Sequence, residues 1–266
     1  AVTGKITDGL AGRITAVEFS KDSTTLVAAD SVPAALGRLH FVEVAGAKIT
    51  QTIASAHADS IFDVAVSPDG KLLASASADK LVRIWDLAKR EPVKTLEGHT
   101  GYVLAAAFSP GSDRIASAGD DEDIKVWNLA TGKNVSSFGS GRIKVGPVTA
   151  LAWTEDPAKV KAKAEEKDAE KAKAINIDRI VAVNEAGIPR IYTDLVEHEG
   201  AQRSTGAREK VATDSGVKIL GAMVLDSATR RFVAGSNSGG VFLWDETGKL
   251  VAKGGIQPEE VAEAQD

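Results

Sequence analysis

HADSIFDVAVSPDGKLLASASADKLVRIWD, from His57 to Asp86, and HTGYVLAAAFSPGSDRIASAGDDEDIKVWN, from His99 to Asn128, are one pattern written twice. His57 and His99, Ser75 and Ser117, Asp79 and Asp121, and Trp85 and Trp127 are each 42 residues apart. Within one period the residues read as strands and turns. Ile61, Val64 and Val66 place branched apolar side chains along a first strand, and Ser67-Pro68-Asp69-Gly70 supplies turn chemistry after it. Leu72 to Ser77 reads as a second strand, Asp79-Lys80 as a turn and Leu81 to Trp85 as a third strand. Thr95 and Leu96 begin an outer strand before Gly98-His99 opens the next period. One such sheet is too small to be stable alone, so neighbouring sheets must cover its faces.

A period of this length ending in Trp-Asp or a close variant resembles the WD-repeat family, whose unit is a four-stranded propeller blade. The resemblance implies an all-β WD-repeat β-propeller with five four-stranded blades encoded here, forming part of a larger, seven-bladed ring. It also implies a structural hydrogen-bond chain in each full repeat: Trp85 to Ser75, Ser75 to His57 and His57 to Asp79, repeated by Trp127, Ser117, His99 and Asp121. A His, a Ser and an Asp at these positions could also be misread as a hydrolytic triad. The structural reading is favoured, because a buried indole N–H requires a partner and a catalytic site would occur once, not twice at one spacing.

Working outward, five blades align, at about 13–55, 56–97, 98–140, 145–214 and 215–255. In the first, ITAVEFS is the inner strand and GRLHFVEV the third, with Phe41 at the Trp position, no His-Ser-Asp set, and Ser31 to Gly37 lengthening the turn between strands two and three. The fourth has PVTALAWT, DRIVAVNEAG and IPRIYTD, with Tyr192 at the Trp position. The fifth keeps Trp244-Asp245 but has Gly216 near the expected His. The blades lacking the polar set are expected to rely on packing.

Spacing locates inserted material. Phe108 to Trp127 is 19 residues, whereas Trp153 to Tyr192 is 39. The additional residues, 155–176, are rich in Ala, Lys and Glu with a Pro near the start, which predicts a solvated, partly formed helix or a loop. Lys161 with Glu165 and Asp168 with Lys171 have pairing separations. A second insertion, Leu195 to Glu209, is expected on the same side of the same blade. Lys5 to Leu10 reads as the outer strand of a blade encoded elsewhere, and residues 256–266 as an acidic tail or linker.

Composition narrows the function. The net charge of −5 gives no electrostatic reason to bind nucleic acid, and the apolar runs are strand-sized, so no membrane insertion is expected. With no cysteine, disulfides, thiol catalysis, zinc–thiolate sites and covalent haem attachment within this chain are excluded. With four histidines, two of them in blades, no metal site and no cofactor are expected. The phrases GHTGYVLAAAFSP and HADSIFDVAVSPDGKLLASASADKLVRIWD are similar to bacterial propellers joined to c-type cytochrome domains in planctomycetes. That resemblance implies an extracytoplasmic, periplasmic location, with a cytoplasmic one as the alternative.

The leading expectation is a non-catalytic scaffold binding a protein partner or a neighbouring domain. The alternatives are an accessory domain of a cytochrome electron-transfer or redox assembly and a small-ligand binder using the central channel. Residues at the starts of the inner strands mark the candidate partner surface: Phe62 and Tyr102 as aromatic anchors, with Arg13 and Leu104 beside them.

Overall fold

The computed structural model describes Ile6 and residues 9–139, 146–184, 189–193, 208–211, 219–226, 231–236, 240–245 and 249–255. Among the described residues, five four-stranded antiparallel sheets follow one another, each hydrogen-bonded in chain order. The first contains β1 (Arg13–Phe19), β2 (Thr25–Val32), β3 (Leu36–Glu43) and β4 (Lys48–His57). The second contains β5 (Ile61–Val66), β6 (Leu72–Ser77), β7 (Val82–Asp86) and β8 (Glu91–Leu96). The third contains β9 (Val103–Phe108), β10 (Arg114–Gly119), β11 (Asp123–Asn128) and β12 (Asn134–Gly139). The fourth begins with β13 (Val148–Glu155), then α1 (Pro157–Glu165) and α2 (Ala169–Ala174), before β14 (Asp178–Asn184), β15 (Pro189–Thr193) and β16 (Arg208–Val211). The fifth contains β17 (Ile219–Asp226), β18 (Arg231–Ser236), β19 (Gly240–Trp244) and β20 (Leu250–Gly255).

One turn device closes the first hairpin of three sheets. Ser67 Oγ donates to Asp69 Oδ1 at 2.6 Å and accepts from the Leu72 N–H, while Gly70 takes a φ of +77°. Ser20 with Asp22, and Ser109 with Asp113, repeat the side-chain bond. The hydroxyl thereby satisfies the first N–H of the returning strand, which fixes the register of β1–β2, β5–β6 and β9–β10.

The core lies between sheets. Val27, Ala29, Leu39 and Phe41 of the first sheet pack against Ile61, Val64, Leu73 and Trp85 of the second. Ala74, Ala76, Val82 and Ile84 meet Ala106, Phe108, Ile115 and Trp127 in the same way. The next interface sets Ala116, Ile124 and Val126 against Leu151, Trp153 and Tyr192, and the last sets Val181 and Ile191 against Phe242 and Trp244. The inner strands β1, β5, β9, β13 and β17 neighbour one another in that order, and the first four line a common cavity.

The first sheet departs from expectation in four ways. Trp85, Trp127, Tyr192 and Trp244 lie in register with Leu73, Ile115, Ile180 and Phe232, which pair in turn with Val66, Phe108, Trp153 and Leu225. In the first sheet that row is Val42, Leu26 and Phe19, so Val42 and not Phe41 holds the Trp position. Phe41 faces the second sheet, beneath the Arg90 guanidinium 4.9 Å from its centroid. Between Ser31 and Gly37 the strands themselves are extended, β2 to Val32 and β3 from Leu36, so the turn stays short.

Packing is also not the first sheet's only support. The fully buried Asp30 accepts from the Ala11 and Gly12 N–H groups and from Arg38, and His40 Nε2 approaches it at 3.0 Å while His40 Nδ1 bonds Thr52 Oγ1. Burial would raise the Asp30 pKa, but the Arg38 and backbone donors outweigh it and hold the carboxyl far below the ordinary range. Asp30 and Arg38, which also reaches the Gly9 carbonyl, thus pin the entering chain to this sheet. The described residues of the expected strand at Lys5 to Leu10, namely Ile6, Gly9 and Leu10, are not in a strand.

The insertion after β13 is two short helices. Asp156 and Asp168 cap them by accepting backbone N–H bonds, and Pro157 occupies the first turn, where its missing N–H costs nothing. Lys161–Glu165 and Asp168–Lys171 come within 3.8 and 3.9 Å, and Lys173–Glu170 within 2.9 Å. No described residue of either helix is buried. The second insertion lies outside the described residues except for Arg208 and Glu209, which belong to β16. Gly216 and residues 256–266 also lie outside them.

Such helices contribute little apolar burial to the propeller. Deleting Ala158 to Ala174 and bridging with a Gly-containing turn is expected to move Tm by less than about 3 °C in a thermal melt. A larger fall would show that the helices support the sheets.

Candidate functional site

Two constellations stand at the positions singled out by sequence. The first is buried. Trp85 Nε1 donates to Ser75 Oγ at 2.9 Å, His57 Nε2 lies 2.7 Å from that oxygen, and His57 Nδ1 lies 2.9 Å from Asp79 Oδ2. Trp127, Ser117, His99 and Asp121 repeat the chain at 2.8, 2.8 and 2.8 Å. Because the carboxylate only accepts, Nδ1–H donates to it; Nε2 then accepts from the serine hydroxyl, whose oxygen accepts from the indole. Every polar atom of the chain has a role.

Burial would raise Asp79 and Asp121, but hydrogen bonds from His57 and His99, with the Ala58 and Thr100 N–H groups, hold both carboxyls below the ordinary value. Ser75 and Ser117 are fully buried and occupied by indole donors. A nucleophile must reach a substrate, and these hydroxyls do not. The geometry is that of an internal tether joining the loop ahead of the inner strand to strands two and three.

The second constellation is open. Phe62 is the second residue of β5 and Tyr102 immediately precedes β9; they are 37% and 48% exposed, with ring centroids 6.3 Å apart. Arg13, at the start of β1, is exposed on the same mouth, and Leu104 is half-buried on the channel wall below Tyr102. Tyr102 is held by a close backbone approach. A Cβ on Gly119 would lie 1.8 Å from the Tyr102 carbonyl oxygen, so only glycine fits at the end of β10.

Below the mouth is a cavity of about 840 Å3, lined by the inner strands from Thr15 to Trp153 and including Glu18 and Asp63. These carboxylates are functional candidates that the sequence reading missed. Asp63 Oδ2 accepts the Ala106 N–H at 2.9 Å, a bond that ties β5 of the second sheet to β9 of the third. Burial pushes the Asp63 pKa up to about 7, and the charge of Glu18 adds to this while the Ala106 and Val64 N–H groups oppose it. Glu18 is itself raised by burial. In sequence, Asp63 was one polar residue within an apolar inner strand, which was the available signal.

A further cross-sheet tether joins the third and fourth sheets. Trp153 Nε1 donates to Asp178 Oδ1 at 3.0 Å, Arg114 pairs with Asp178 Oδ2 at 2.9 Å, and the Arg114 guanidinium lies 5.1 Å from the Trp153 ring centroid. Among the described residues no group of three or more His, Cys, Asp or Glu is placed to hold a metal ion.

The repeat-bearing segments, residues 48–86 and 90–128, match the family described as WD domain, G-beta repeat. The chain is 55% identical over 42 residues to the protein named "Probable serine/threonine-protein kinase PkwA" of Thermomonospora curvata, covering 16% of this chain and 6% of that protein. It is 50% identical over 48 residues to the Notchless protein homolog of Arabidopsis thaliana, covering 18% of this chain and 10% of that protein. In fold it is similar to the crystal structure of RRP9 WD40 repeats, with a TM-score of 0.70 at 20% identity over 92% of this chain and 65% of that one. The architecture is therefore all-β, a WD40 propeller-like fold of four-stranded sheets.

His57→Ala removes a buried partner of both Ser75 and Asp79, and is expected to cost about 2–3 kcal/mol in a denaturant titration, with His99→Ala behaving alike. Asp63 gives a pH signature. Its folded pKa lies above its unfolded one, so the folded state binds more protons between about pH 4 and about pH 7, and stability falls as pH rises through that window. Asp63→Asn keeps an acceptor for Ala106 and has no charge to bury. Its Tm advantage over the parent should widen between about pH 5 and about pH 8, and a constant difference would refute the burial argument.

Proposed function

We propose that this propeller is a non-catalytic protein-interaction scaffold whose partner docks over the channel mouth on Phe62 and Tyr102. The observation that carries the reading is the pair of adjacent aromatic rings, left open to solvent although each adjoins a fully buried strand residue, Ile61 beside Phe62 and Val103 beside Tyr102. Exposed aromatics side by side supply rigid, amphipathic contact area of the kind that dominates interface energetics. Arg13 and Leu104 widen the contact, and Glu18 and Asp63 favour a partner that directs a basic side chain into the channel.

The buried state of Ser75 and Ser117 supports a scaffold over a hydrolase. Rings standing at the rim favour a protein ligand over a small molecule held within the channel. An association with a cytochrome, and the extracytoplasmic location that accompanies it, rest on the sequence resemblance alone. No described helix is long and apolar enough to cross a membrane.

A peptide-display selection on the whole chain tests the surface. Selected peptides should bind Phe62→Ala and Tyr102→Ala at least about tenfold more weakly by fluorescence anisotropy, a loss of ~1.4 kcal/mol or more, while the Tm of both variants stays near the parent's. Equal affinity for parent and variants would place the interaction surface elsewhere.

A further inference from the structure

Acids and an apolar lip surround the two rings at the mouth. Among the residues lining the cavity beneath them, Glu18 and Asp63 are the only ionisable groups. Asp63 is half-buried and Glu18 exposed, so an entering side chain can reach both. The turns after β6 and β10 close at the same end as the rings, because Ser77 pairs with Ile61 and Gly119 with Val103. They bring up Glu122 and Asp120, whose N–H donates to the Tyr102 carbonyl at 2.9 Å, while Asp59 stands in the loop ahead of Phe62. Arg13 and Lys80 are exposed cations at this end, and Asp79 and Asp121 are engaged by histidines. The lip comes from the first sheet. Ala28, Ser75 and Ser117 hold equivalent places, opposite Val17, Val64 and Ala106. Beyond Ala28–His40, β2 and β3 pair for four more steps, against one beyond Ser75–Arg83 and one beyond Ser117–Lys125. The tip, Pro33 to Ala35, is exposed and sits on the loop leading into Phe62: the Ala34 N–H donates to Asp59 Oδ1 at 2.7 Å and the Ile61 N–H to Ser31 Oγ at 2.9 Å.

Resting on the docking reading above, we propose that the mouth selects an extended peptide with an Arg or Lys between apolar residues, the base passing the Phe62 and Tyr102 rings to Glu18 and Asp63 in exchange for a proton held by that pair. Charge complementarity names the occupant: acids stand around and beneath the rings, and a ring face itself attracts a cation. The β2–β3 tip gives the apolar flanks of the peptide a wall. Two carboxylates facing one cavity, with no cation among its lining, disfavour joint ionisation. Burial, with the charge of Glu18 added, pushes Asp63 up to about 7 against the opposing Ala106 and Val64 N–H groups. Glu18 is the titratable group that β1 presents to Asp63, and the lining stretches of β9 and β13 present none. A guanidinium or ammonium seated there favours the ionised pair, so the Asp63 carboxyl gives its proton to solvent while the base keeps its own. Affinity therefore rises with pH through about 7. A surface carboxylate of ordinary pKa, about 4, is ionised throughout that window and gives no such dependence.

The test titrates the isotope-labelled 266-residue chain by NMR with two N-acetylated peptides, Leu-Ala-Arg-Ala-Leu and its citrulline counterpart, which has nearly the same shape without the charge. The Arg peptide should bind with a Kd below about 1 mM at pH 8, at least about tenfold more tightly than the citrulline peptide. Its affinity should be about tenfold higher at about pH 8 than at about pH 6. Asp63→Asn should flatten that pH profile, and Glu18→Gln should weaken the Arg peptide while leaving the citrulline peptide unchanged. Equal affinity for the two peptides, a flat profile in the parent, a profile in Asp63→Asn as steep as the parent's, or an Arg-peptide Kd above about 1 mM each overturns the proposal. Arginine amide binding as tightly as the Arg peptide overturns it too, since the occupant would then be a small cation. Failure of the docking reading has a different appearance: Phe62→Ala and Tyr102→Ala would bind the Arg peptide as the parent does, with its charge and pH dependence intact.

Discussion

Apolar contact between the faces of successive sheets is the interaction on which the rest of this structure depends. A four-stranded sheet of short strands has two faces and no second layer of its own, so each must be buried by a neighbour. Residues of β2 and β3 on one sheet and of β5 and β6 on the next illustrate the solution: Ala29 and Leu39 meet Val64 and Leu73 with no polar atom between them. Small side chains on one face and large ones on the other, as in Ala74 and Ala76 against Phe108 and Trp127, let the sheets approach without leaving voids. Non-directional contact of this kind supplies the energy of the stack but specifies neither register nor the order of the sheets.

Specificity comes from polar bonds placed around that contact. The Trp–Ser–His–Asp chains hold the segments that enter β5 and β9, and His57, the last residue of β4, also ties the first sheet to the second. Other bonds act between sheets: the Ile61 N–H to Ser31 Oγ, the Ala106 N–H to Asp63, and Arg114 with Asp178. Each is satisfied only if two sheets sit in one relative position, and an unsatisfied buried donor or acceptor is costly. The polar set thus converts a stack of compatible faces into one arrangement. It also explains how the first sheet dispenses with the Trp-based network, because Asp30 gathers the entering backbone, Arg38 and His40 into an equivalent anchor.

Much of the architecture was legible because it is periodic. A 42-residue repeat with turn residues at fixed offsets reports strand order directly, and the second and third sheets run as the spacing of His57 to Trp85 and His99 to Trp127 suggests. Legibility failed where a device did not repeat. Phe41 was aligned by aromatic character, yet its register places it one residue from the Trp row, and a period-two strand turns that single step into the opposite face. Asp30 carries no repeat signal, and its partners Ala11, Gly12, Arg38 and His40 are brought together only by the sheet. At the candidate site, Phe62 and Tyr102 were readable only as aromatics near the starts of inner strands. Asp63 was not, because its raised pKa arises from the surrounding inner strands and from Glu18 on a different sheet.

The mouth and the open ends of the arc are physically separate surfaces, and they differ in what they ask of an occupant. The mouth presents two rings on a polar rim over carboxylates, a mixed surface that tolerates water and can release what it binds. The β1 face presents a continuation of a core, with Val17 and Phe19 in rows that elsewhere in the chain are dry. Covering β1 also bears on the mouth, because Arg13 lies at the head of the same strand as Val17 and Glu18, so whatever packs on that strand fixes one wall of the channel. A rim built on strands already held by their neighbours favours binding, since ordering a loose wall on binding subtracts from affinity, whereas a held wall does not.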